Sequence, residues 1–232
     1  PRYYFNSTFV TLMITLGQVV TSSLAAFSFS RLSFPGRDKL FFGYLATMMI
    51  PFYVTMIPVF ILLKILADFS DYWFPSGIYI LNQYAGKLIG LDSYFALIVP
   101  GMFTAYGTFM LRQYFMGLPS DLEEAAKIDG SSIWGIYWRI ILPLSKPALA
   151  TLTVLTFMGA WKDFLWPLIV VSSDEMKTIS VGLASFQGLY TTEWTLLMAG
   201  SIIMLVPISL VFIFNQRFFV EFLMMELVFY II

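Results

Sequence analysis

The stretch GLPSDLEEAAKIDGSSIWGIYWRIILP, residues 117–143, is a hydrophilic island in an otherwise apolar chain. Ser120 and Glu123 have the spacing of a capping box, in which the hydroxyl satisfies a backbone donor and the carboxylate reaches back to the cap. Asp121, Glu123 and Glu124 place negative charge in the first turn, where the helix dipole favours it. Gly130 is suited to the left-handed conformation that ends a helix. A second short helix is expected from about Ser132 to Ile141, after which Pro143 and Pro147 mark the passage into the next apolar run. The segment reads as two short helices hinged at a glycine, a knuckle outside the lipid.

Working outward, the 232 residues are 59% hydrophobic and only 12% charged, with a mean hydropathy of +0.82. That leaves too little polar surface for a soluble domain. The charges divide the chain into runs long enough to cross about 30 Å of hydrocarbon, which takes about 20 helical residues. Four runs are free of charge: between Arg2 and Arg31, Lys39 and Lys64, Asp92 and Arg112, and Glu193 and Arg217. A fifth, from Pro147 to about Val171, carries Lys162 and Asp163 inside it. Backbone groups in lipid must be satisfied internally, and without period-2 alternation these runs favour helices over a barrel. The expectation is an all-α integral membrane protein, one transmembrane domain over 1–232. Its spans are expected at about 6–30, 40–64, 93–115, 147–171 and 194–217, with the polar segment at 119–143 and a loop at 65–92.

Five crossings gather Arg31, Arg37, Lys39, Arg112, Lys127, Arg139, Lys146 and Arg217 on one side, against Arg2, Lys64, Lys87 and Lys177 on the other. The first side is expected to be cytoplasmic, with the N-terminal residue outside and the C-terminus inside. The chain opens with Pro1 and runs almost directly into a span, so a segment upstream is expected. That first run lacks the basic flank of a signal peptide and is too long for one. Cysteine and histidine are both absent, which removes thiolate nucleophiles, imidazole bases and most transition-metal sites. A net charge of -1 gives no footprint for nucleic acid.

Glu124-Ala125-Ala126, three residues, Gly130, nine residues and then Ile140-Ile141-Leu142-Pro143 resembles the EAA loop of binding-protein-dependent ABC importer permeases. Residues 33–37 (SFPGR), 111–115 (LRQYF) and 164–167 (FLWP) are similar to the carbohydrate-uptake branch of that family, related to the maltose permease subunit MalG. The resemblance implies a type I importer transmembrane domain of the MetI-like kind, a six-helix subunit from which this chain lacks the first helix. It implies partners as well: a second permease subunit, two copies of a cytoplasmic ATPase that binds ATP and magnesium, and an extracytoplasmic solute-binding protein. The chain itself would hold no cofactor, catalyse nothing and lie in the inner membrane of a prokaryote. Its solute would be a sugar, an oligosaccharide or a related compound such as glycerol phosphate.

In the family the knuckle docks as a coupling helix into a cleft of the ATPase. Carried onto this sequence, the coupling residues are Glu123, Glu124, Ala125, Ala126, Asp129, Gly130, Ile140, Leu142 and Pro143. Ala125 and Ala126 permit close approach, Glu123, Glu124 and Asp129 are suited to basic groups on the partner, and Gly130 sets the angle between the arms.

Charges inside lipid are costly and usually face protein or water. One reading places Trp161, Lys162, Asp163 and Trp166 along the translocation path, with aromatic faces stacked on sugar rings. The other makes Lys162 a partner-permease salt bridge or a group that snorkels to the interface. Related subunits typically show Asn at the position of Lys162. The aromatic loop at 65–92 is read as a short interfacial helix or as a contact for the solute-binding protein. Rival classes are an intramembrane enzyme, for which Ser145 beside Lys146 is only a loop dipeptide, and a secondary transporter with broken helices, for which Pro51 and Pro58 are the weak hint.

Overall fold

Apolar runs that cannot hydrogen-bond to lipid satisfy their own backbone as helices, and helix dominates the chain. The computed structural model describes residues 1–73, 89–188 and 192–231, and for 70–73 and 218–231 it describes the backbone. In chain order the helices are α1 (Arg2–Arg31), α2 (Arg37–Ala46), α3 (Phe52–Trp73), α4 (Tyr94–Ile98) and α5 (Ala105–Met116). They continue as α6 (Asp121–Ile128), α7 (Ile133–Ile136), α8 (Lys146–Lys162), α9 (Leu165–Val170), α10 (Ile179–Ala184) and α11 (Trp194–Ile231). Among the described residues the β-structure is a single bridge between Gln187 and Thr192.

Among the described residues, four helical segments are long and apolar enough to cross a membrane: Arg2–Arg31, Phe52–Phe69, Tyr94–Met116 and Trp194–Arg217. A fifth crossing is made if Ile133–Leu144 and Lys146–Lys162, bent by 75° at Ser145, act as one. Two expected spans are displaced. The second, expected at 40–64, is cut by a 3-10 turn at Thr47–Met49 and by Pro51, which disfavours helical geometry in the residue before it. Its apolar helix therefore begins at Phe52, and α2 stands apart. The fourth, expected at 147–171, is interrupted at Asp163 and Phe164, where α8 stops and α9 starts. The aromatic residues expected to act in the 65–92 loop, from Trp73 to Gly86, lie outside the described side chains.

The chain forms two units, each with its own core. The first comprises residues 1–16, 50–102 and 156–210, and the second residues 17–49, 103–155 and 211–232. In the first, Val10, Ile14, Leu63, Leu97, Trp166 and Val170 pack together. Buried Asn6 ties this unit by polar contacts: its amide donates to the carbonyls of Glu175 (2.8 Å) and Lys177 (3.0 Å) and its oxygen accepts from Tyr94 (2.7 Å). Asp92, with φ 58°, turns its carboxylate to receive the amides of Ser172 and Ser173 at 3.0 and 3.1 Å. Beside it Gly90 has φ 102°, and a Cβ there would stand 2.3 Å from that of Ala67. In the second unit, Phe27, Leu111, Phe115, Ala126, Tyr137 and Ile141 make the core, which draws the knuckle's inner face onto the helices beside it.

Candidate functional site

The knuckle at 119–143 is two helical arms around a glycine, as its sequence requires. Asp121, Glu123 and Glu124 fill the first turn of α6. The end of that helix is a complete Schellman motif. Gly130, at φ 79°, donates to the carbonyl of Lys127 (3.0 Å), and Ser131 donates to that of Ala126 (2.9 Å). A Cβ at Gly130 would meet nothing within 4 Å, so the backbone angle alone calls for glycine. Ser132 then caps α7 by accepting from the amide of Gly135 at 3.1 Å. The second arm continues through a π turn, Tyr137–Ile141. Tyr137 is buried there, with its hydroxyl 2.8 Å from that of Ser23 and its ring tilted against Phe27.

The other end of α6 differs from expectation. Ser120 is itself helical (φ -68°, ψ -25°), and its side chain caps nothing. Glu123 does not reach back to it, because a stronger partner is at hand. The carboxylate Oε1 lies 2.8 Å from Nε of Arg31, with both side chains almost buried. Arg31 also donates through Nη2 to the carbonyls of Phe115 (2.6 Å) and Leu118 (2.8 Å). The attraction of opposite charges held out of water outweighs a solvated capping bond.

The residues expected to face an ATPase therefore separate into two groups. Glu123 and Ala126 turn inward, which corrects the expectation that both acidic residues and both alanines present themselves to a partner. Glu124, Ala125, Asp129 and Gly130 are exposed, together with Leu122 and Ile128, the latter 87% exposed. Of the motif's distal end, Ile140 and Leu142 pack partly buried against the core, and Pro143 is exposed. On the second arm, Trp134 and Trp138 are 62% and 63% exposed.

The stretch from 161 to 166 is arranged quite differently. Trp161 is 1% exposed, stacked on Phe157, met edge-on by Tyr4, and donates its indole N–H to the carbonyl of Met204 at 2.9 Å. Trp166 is 6% exposed, edge-on to Phe52, and donates to the carbonyl of Ala96 at 2.9 Å. Both tryptophans are buried in the core of the first unit, where the expectation had their faces stacked on a sugar. Asp163 lies at the helix break and accepts from the amide of Trp166 at 3.4 Å, while Lys162 is exposed. Among the described residues these two charges form no ion pair with each other.

Arg31 is the residue that sequence reasoning passed over. It entered as the charge that ends an apolar run and as one of the basic residues that set the orientation, and nothing local in the sequence ties it to Glu123, 92 positions away.

Comparison with known proteins bears on this arrangement. The family described as binding-protein-dependent transport system inner membrane component matches residues 18–223. The arabinooligosaccharides transport system permease protein AraQ of Halalkalibacterium halodurans is 34% identical over 218 residues, covering 94% of this chain and 70% of the relative. The sn-glycerol-3-phosphate transport system permease protein UgpE of Yersinia enterocolitica is 36% identical over 219 residues, with 94% and 70% covered. In fold, the chain is similar to a subunit of a bacterial ABC transporter that imports the acidic polysaccharide alginate (TM-score 0.70, 17% identity, 93% of this chain and 78% of that one). It is similar also to a chain of the inward-facing MetNI methionine ABC transporter (TM-score 0.63, 13% identity, 93% and 92%). The chain belongs to the binding-protein-dependent transport system inner membrane components, the permease subunits of ABC importers.

Proposed function

We propose that the exposed face of α6 is the surface by which a separate ATPase drives this permease, and that Glu124, Ala125, Asp129 and Gly130 carry the contact. The observation behind this reading is the combination of an outward acidic and small-residue face with a helix end whose backbone donors and acceptors are already satisfied. A rigid element of that kind transmits a push instead of absorbing it. The full assembly would hold a second permease, two ATPase subunits that bind ATP and magnesium, and an extracytoplasmic solute-binding protein. This chain would hydrolyse nothing. Its N-terminal residue lies outside and its C-terminus in the cytoplasm, which the distribution of basic residues supports.

The solute class is a carbohydrate, with glycerol phosphate as the second reading because relatives named for each stand at similar identity. Reconstitution with the cognate ATPase and binding protein tests the function directly. Wild type is expected to take up solute only with ATP, and Glu124→Lys is expected to insert normally yet lose at least about tenfold in uptake, the equivalent of about 1.4 kcal/mol of coupling. Uptake by Glu124→Lys at the wild-type rate contradicts the assignment.

A further inference from the structure

We propose that Arg31 and Glu123 form the internal joint through which a displacement of α6 reaches α1. Arg31 is then a positioning residue for coupling and not a docking residue. The inference rests on the permease reading above, and it concerns what lies behind the docking face.

Three helices meet at one cation. Arg31 is the last residue of α1; its Nη2 holds the carbonyls of Phe115, in the last turn of α5, and of Leu118 just beyond it, and its Nε faces Glu123 of α6. The carbonyl of Phe115 already accepts from the amide of Leu118 (3.1 Å), so the guanidinium adds a second bond there and reaches on to the carbonyl of Leu118. A second tie runs in the opposite sense. Arg112 of α5 donates to the carbonyl of Phe29 on α1 (3.2 Å), with its guanidinium 4.1 Å above the ring of Phe41. Helices α1 and α5 are thus pinned to each other twice. Among the described residues the charge contact that links α6 to them is Glu123 alone.

The kind of contact suits a moving joint. Nε and Oε1 stand at ion-pair distance, but the angle falls outside hydrogen-bond geometry. A Coulomb attraction depends on separation more than on angle, so it survives rotation of α6 while still pulling on α1. Removing either partner leaves the other charge buried without a counterion.

The absence of cysteine makes the test direct, since one introduced thiol is unique in the chain. Ser33 is exposed just past α1, and Ser33→Cys carries an environment-sensitive fluorophore in the assembled, detergent-purified transporter. The probe is a non-hydrolysable ATP analogue, which closes the ATPase without any solute. With Arg31 and Glu123 intact the label is expected to respond. Glu123→Gln and Arg31→Gln are each expected to retain ATPase subunits within twofold of the parent and to cut the response at least fivefold. The double variant should be no worse than either single, and Arg31→Lys should recover more than half of the response. Loss of the ATPase from both single variants, an undiminished response in either, or no recovery with Arg31→Lys overturns the joint. If no ATPase copurifies even with the parent, the permease reading itself fails.

Discussion

At residues 121–130 the backbone closes on itself, through a complete Schellman end, and most side chains are left outward. At residues 161–166 the backbone is broken between α8 and α9, and the two tryptophans turn inward and hydrogen-bond carbonyls of other helices. The contrast follows from the same requirement met in two ways. Where a segment satisfies its own donors and acceptors, its side chains remain available to a partner. Where a span is interrupted in an apolar core, the side chains are committed to repairing it. On the function proposed above, the first region is the part a partner grips and the second the part that holds the unit together.

If that division is correct, substitutions in the two regions fail by different measurements. The largest effect is expected from Gly130→Pro. Proline cannot adopt φ 79° and removes the amide that donates to Lys127. Uptake should be abolished while the protein still inserts; transport by this variant at more than a tenth of the wild-type rate would erase the contrast. Next comes Trp161→Ala, which empties a buried site and should cost about 3–5 kcal/mol. Thermal unfolding in detergent reads this as a lowered midpoint, with solute selectivity unchanged in whatever fraction remains folded. A change of selectivity with normal stability would return Trp161 to the translocation path.

Trp166→Phe keeps most of the ring and leaves the carbonyl of Ala96 without its donor, a loss of about 1–3 kcal/mol. The same unfolding assay should place it between wild type and Trp161→Ala. The smallest effect is expected at exposed Lys162, where Lys162→Asn should shift stability by no more than about 0.5 kcal/mol. Competition between solutes in the uptake assay sharpens this point, since a changed order of preference would give Lys162 a role in the path.

Much of the fold was legible because lipid leaves few solutions. Runs without charge had to become helices, and those ending at Arg31 and Arg217 did. Gly130 was readable because a glycine after an acidic amphipathic turn has a specific backbone purpose. The second span was placed too early because the run from Lys39 to Lys64 carries no charge, and only the local stiffness of Pro51 divides it. The capping box failed for a different reason: Ser120 and Glu123 have the correct spacing, but Arg31 competes for the carboxylate from far along the chain. The two tryptophans misled because an aromatic residue beside a charge has the same composition whether it lines a path or fills a core. Burial and the hydrogen bonds to Met204 and Ala96 decide between these, and neither is local.

If an ATPase covers the outer face of α6, exposed Ala125 lies within the covered surface. Ala125→Cys, the sole thiol in the chain, is to be exposed to a membrane-impermeant maleimide from the cytoplasmic side, with and without the ATPase bound. Protection of at least tenfold in the assembled transporter is expected, and equal labelling in both states, or labelling from the outer side, contradicts it.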